Sequence, residues 1–130
     1  MKRTHLQLPR PTEGELELLH ILWQKGAATV RDLHEEVSQT RPLGYTSVLK
    51  LLQIMTEKGL VEREEPGKAH IYRAAATERA TQDQILRDMS QRLFSGSAAQ
   101  LALHALAMEP VNDREFEELR TLIERKRQRP

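Results

Sequence analysis

The chain has 130 residues, 38% hydrophobic and 30% charged, with one Trp, two Tyr, two Phe and no Cys. Such a length holds one ordinary domain, or a head of about 75 residues with a shorter helical attachment, and the lack of cysteine excludes disulfides, thiolate nucleophiles and Cys-containing metal sites. Net charge is +1, split as 11 Lys and Arg against 10 Asp and Glu in residues 1–76 and nine of each in 77–130, so gross charge announces no nucleic-acid binder and only the placement of basic side chains can.

No apolar run approaches the roughly 20 residues of a membrane span, and Met1-Lys2-Arg3-Thr4-His5 opens no signal-type apolar stretch, so a cytoplasmic location without membrane insertion is expected. Thr12, with Glu15 three residues on, forms a capping box for a first helix, whose Leu16, Leu18, Leu19, Leu22 and Trp23 make one broad apolar face up to Lys25-Gly26. Thr29 caps a second, short helix with Val30, Leu33 and Val37 on a narrow stripe. After a break at Gln39–Gly44, a third helix runs from about Tyr45 to Lys58, and Gly59 supplies its C-terminal stop.

Beyond Gly59 the period changes to alternation. Leu60–Glu64 and Ala69–Arg73 read as strands around the turn Glu65-Pro66-Gly67-Lys68, with Val61, Ile71 and Leu60 toward the core, Arg63 and His70 outside, and the face of Tyr72 open. Three helices followed by a hairpin is the order of a winged helix-turn-helix. Thr77 caps a fourth helix to about Phe94, Gly96 breaks it, Ser97 with Gln100 opens a fifth and Asn112 with Glu115 a sixth. The expected fold is therefore mainly α with a small β-hairpin: a winged-helix DNA-binding domain over residues 1–76 and a helical dimerisation domain over 77–130.

On a helical wheel of the third helix, Val48, Leu49, Leu52 and Met55 fall on one side and Thr46, Ser47, Lys50 and Gln53 on the other. Short hydroxyls reach phosphates or base edges and a lysine reaches guanine O6 and N7, so Thr46, Ser47 and Lys50 are the candidate reading residues, against the plain alternative of a solvated face. Leu51 and Ile54 flank that face and are read as core rim in preference to thymine-methyl contacts. Arg31 and Arg41 stand where this architecture meets backbone phosphates, or are simple surface charges. In the wing, Arg63, Lys68, His70 and Arg73 stand among Glu62, Glu64 and Glu65, a weaker signal. In the C-terminal helices the stripes Ile85, Met89, Leu93; Leu101, Leu106; and Phe116, Leu119, Leu122, Ile123 exceed what a small head can cover, which points to a homodimer in preference to folding back on the head.

The string Pro11-Thr12-Glu13, Glu15-Leu16, Leu22-Trp23, Gly26, Thr29-Val30, Tyr45-Thr46-Ser47-Val48, Leu52, Lys58-Gly59-Leu60-Val61 and Tyr72-Arg73 resembles the penicillinase-repressor family of BlaI, MecI and CopY type regulators. Phe94-Ser95-Gly96-Ser97 and Glu115–Arg120 carry the resemblance into that family's dimerisation region. It implies a winged-helix repressor that binds a palindromic operator as a dimer, with Thr46, Ser47 and Lys50 on the double-stranded DNA and Arg63, Lys68 and His70 assisting. Ser47 stands where Thr is commoner, and Gln53-Ile54 replace positions often basic, which implies a different operator. In the resistance repressors a membrane sensor protease triggers cleavage at an Asn-Phe bond; this chain has His104-Ala105 there, a departure from that specificity, and it lacks the cysteine pairs of copper-responsive relatives.

Five scattered histidines, His5, His20, His34, His70 and His104, match no HExxH or triad signature, and no enzyme, cofactor or metal site is read. Two alternatives stand beside the repressor: a winged-helix module used for protein contacts, and a metal-responsive regulator acting through His20 and His34.

Overall fold

The computed structural model describes residues 9–64 and 70–128. Its elements are α1 (Glu13–Lys25), β1 (Ala28–Thr29), α2 (Val30–Val37), α3 (Tyr45–Lys58), β2 (Val61–Glu64), β3 (Ile71–Ala74), α4 (Glu78–Leu93), α5 (Ala98–Met108) and α6 (Asp113–Arg127). The helix starts are where the capping residues place them. Thr12 and Glu15, Thr29 and Asp32, and Asn112 and Glu115 each form a reciprocal capping box, while Thr77 and Ser97 accept from the amides of Ala80 and Gln100. At the end of α3, Gly59 takes the left-handed conformation (φ 82°), and the amides of Gly59 and Leu60 close the helix on the carbonyls of Thr56 and Met55.

The chain divides into two compact units, Met1–Ile85 and Leu86–Pro130. In the first, α1, α2 and α3 enclose a core of Leu18, Leu19, Leu22, Leu33, Val37, Val48, Leu52 and Met55, closed on one side by the sheet. The sheet has three antiparallel strands in the order β1-β3-β2, one more than the expected hairpin. The two-residue β1 pairs Ala28 with Tyr72 and Thr29 with Ile71, making β3 the central strand.

The face of Tyr72 is inward: it is 1% exposed and sits in the core with Val61 and Leu60. Ile71, expected inward, is only half-buried, because alternation along β3 sends Tyr72 and not its neighbour to the core. The turn residues 65–68 lie outside the described residues. Trp23 Nε1 donates to the carbonyl of Ala76 at 2.9 Å, tying α1 to the chain leaving the sheet.

Among the described residues of the head, one charge is buried. Glu15 is 2% exposed; its Oε1 accepts from Lys58 Nζ at 2.7 Å and from the amide of Thr12 at 2.8 Å, so the start of α1 is held to the end of α3. Burial works to raise the Glu15 pKa, but the hydrogen bond from Lys58, the bonds at Thr12 and the ammonium charge outweigh it and leave the carboxyl below its usual range. A carboxyl with a lowered folded-state pKa adds stability above its unfolded pKa, and that stability is lost as pH falls through the folded value. Glu15→Gln should therefore destabilise the protein by about 1–3 kcal/mol at pH 7, with the gap to wild type narrowing near pH 3 in urea denaturation; a gap equal at both pH values contradicts this role.

Candidate nucleic-acid interface

The entrance of α3 is held by three side chains. His34 of α2 donates from Nε2 to the carbonyl of Leu43 at 3.0 Å, the tautomer this acceptor requires. Its ring lies edge-on to Tyr45, with centroids 5.8 Å apart. Arg41 is drawn back to α1, where its guanidinium pairs with Glu17 and lies 3.9 Å from Glu13. The turn between α2 and α3 is thus fastened to the helices behind it, and α3 is presented in one orientation.

On α3 itself, Val48, Leu52 and Met55 are completely buried, and Leu49 and Leu51 pack against the core. Thr46, Ser47, Lys50 and Gln53 are exposed, as the wheel predicts. Gly44, the N-cap residue, offers no side chain to the first amides, which leaves the positive end of the helix dipole open to an anion. Ile54 is 37% exposed and Leu51 is half-buried against the core, so the two residues flanking the polar face lie at different depths of the core rim. Tyr45, absent from the reading residues inferred by sequence, is 49% exposed at the head of the same helix. Its place in the first turn is the signal that marks it.

The other candidates are distributed less simply. Arg31 is exposed, with Glu35 one turn on at 4.0 Å. Arg41 serves the turn as described, so its charge is partly met within the fold. Arg63 and His70 are exposed on the strand region of the wing, whereas Lys68 lies outside the described residues. Arg73 is engaged by both carboxylate oxygens of Glu64, at 2.9 and 3.3 Å.

The second unit presents a different surface. None of the residues of α5 or α6 is buried. Leu106, Pro110, Val111, Phe116, Leu119 and Ile123 line an apolar groove of about 500 Å³. Of the stripe residues, Ile85, Leu101 and Leu119 are half-buried, while Met89, Leu93, Leu106, Phe116, Leu122 and Ile123 are exposed. His104 of α5 lies edge-on to Phe94, centroids 5.0 Å apart.

His20 packs edge-on to Trp23 and lies 3.8 Å from Glu78. Among the described residues, no group of three or more His, Asp or Glu is disposed to hold a metal ion, and no helix is long and apolar enough to cross a membrane.

The profile of the penicillinase repressor family matches residues 11–125. The chain belongs to the penicillinase-repressor family. Among the family's relatives, the methicillin resistance regulatory protein MecI of Mammaliicoccus sciuri is 23% identical over 115 residues, 88% of this chain and 94% of that protein. The transcriptional regulator BlaI of Mycobacterium tuberculosis is 39% identical over 62 residues, 45% of each chain. In three dimensions the chain is similar to the monomeric form of Bacillus licheniformis BlaI, solved in complex with the blaP half-operator, with a TM-score of 0.51 at 19% identity, over 57% of this chain and 90% of that one. That likeness establishes a shared winged-helix fold within this repressor family.

His34→Phe keeps the ring beside Tyr45 and removes the donor to Leu43. It should lower stability by about 1 kcal/mol in chemical denaturation and speed amide exchange in the first turn of α3; unchanged exchange at Tyr45–Val48 would mean that the turn is held without His34.

Proposed function

We propose that this chain is a transcriptional repressor that binds double-stranded DNA as a homodimer on an inverted-repeat operator. The observation that carries the reading is α3: one face completely buried, the opposite face exposing Thr46, Ser47 and Lys50 in the first turns, and an N-terminus without a side-chain cap. A helix so anchored enters a major groove with hydroxyls at phosphates or base edges and Lys50 at guanine, while Arg31 and the wing residues Arg63, Lys68 and His70 flank the backbone. Membership of a repressor family, in which a relative was solved on a half-operator, supports the same assignment over a catalytic one.

The homodimer rests on the second unit. A helix pair that leaves Leu122 46%, Phe116 53% and Ile123 58% exposed has not completed its own apolar burial, and a second copy offers the same stripes by two-fold symmetry. Each leucine buried there adds about 1.5–3 kcal/mol. Two heads then meet half-sites about one helical turn, or a multiple of it, apart. Derepression follows from any event that undoes this pairing, including cleavage within α5 by a partner sensor protease, because a single head keeps only half of the contacts.

Footprinting on the DNA upstream of the gene encoding the chain should reveal a protected inverted repeat. Lys50→Ala should weaken binding about tenfold or more without changing thermal stability, and absence of protection at low salt with wild type would overturn the assignment. With about six phosphates neutralised, log affinity should fall against log salt with a slope of about −5. In sedimentation at micromolar concentration wild type should run as a dimer and Ile123→Glu, exposed in the single chain, as a folded monomer; a wild-type monomer with full operator affinity would sink the homodimer.

A further inference from the structure

Ile54 is a large apolar side chain left partly exposed on the outward side of α3. It is β-branched, apolar and 37% exposed, in the middle of a helix whose inward face is already filled by Val48, Leu52 and Met55. Leu49 and Leu51, by contrast, are half-buried against the core. Its neighbours on the outward face are Lys50, Gln53 and Glu57, all exposed. The exposed part of such a side chain gains nothing from burial, and its β-branch is restricted in the helix.

A partner surface that the same face already meets would account for it. Thr46 and Ile54 are eight residues apart, about 12 Å along the helix, a stretch that a helix seated in a B-form major groove presents to base edges. Glu57, the next exposed side chain along this face, carries the charge that phosphates repel, so the reading surface ends in the turn that holds Ile54. Within a major groove the apolar feature on offer is the C5-methyl of thymine, which sits at the groove edge of every A·T pair.

We infer that Ile54 is a specificity-determining residue that packs on a thymine methyl in each half-site, so that the third turn of α3 selects an A·T pair by shape, beside the polar contacts of Thr46, Ser47 and Lys50. This rests on the DNA-reading role proposed above.

The test begins with the full-length protein selecting duplexes from a random 30-base-pair pool. In the best duplex each thymine is then replaced by uracil, which removes one methyl and leaves every hydrogen bond. Wild type should lose about fourfold affinity for each half-site at one symmetry-related thymine, and Ile54→Ala should bind the thymine and uracil duplexes equally at that position. Ile54→Ala alters an exposed side chain, so an unchanged melting temperature separates lost contact from lost folding. If uracil costs wild type nothing at any position, or costs Ile54→Ala as much as wild type everywhere, the inference is overturned while the DNA-reading role stands. If wild type enriches no duplex from the pool, both fail.

Discussion

The complete burial of one face of α3 is the constraint on which the rest depends. Val48, Leu52 and Met55 are closed off by α1, α2 and the sheet, and a helix pinned along one stripe has a single orientation about its own axis. Everything on the opposite stripe is then held outward without any interaction of its own. Thr46, Ser47 and Lys50 need no partner inside the protein to be in place; the leucines behind them set their direction. The Glu15 to Lys58 pair fixes the far end of α3 against α1, and His34 fixes the near end through Leu43, so that neither slides nor tilts freely.

Electrostatics divides the cations between two tasks. Arg41 and Arg73 are drawn into contacts with carboxylates of their own fold, on Glu17 and Glu64 respectively. Lys50 makes no ion pair among the described residues and is exposed in the second turn of α3, whose N-terminus has no side-chain cap. A net charge of +1 is compatible with a local positive surface in this way, because charges paired within the fold add little field outside it. Surface pairs of this kind contribute little to stability, so their effect is mainly to decide which cations remain available.

The two units solve the shortage of aromatic and apolar mass differently. The first closes a core with leucines, valines and Tyr72. The second has no buried residue in α5 or α6 and leaves an apolar groove along both. That exposed apolar surface is the one on which the proposed pairing with a second copy rests.

Local signals were fully legible in the sequence. Thr12, Thr29 and Asn112 announce helix starts because a capping residue bonds amides only two or three positions away, and Gly59 announces a helix end because the left-handed conformation it takes is strained for any other residue. The buried stripe of α3 followed from its 3.6-residue period. Tertiary structure alone decided the inward turn of Tyr72 over Ile71, since which face of β3 is covered is set by its packing against α1 and the core; it also added the two-residue strand Ala28–Thr29, too short to read from a pattern, on the other edge of β3. It decided, too, that Arg41 pairs with α1 and that Ile54 is left more exposed at the core rim than Leu51. Periodicity places a side chain on a face, but whether that face is covered depends on neighbours distant in sequence, and those are brought together only by the folded chain.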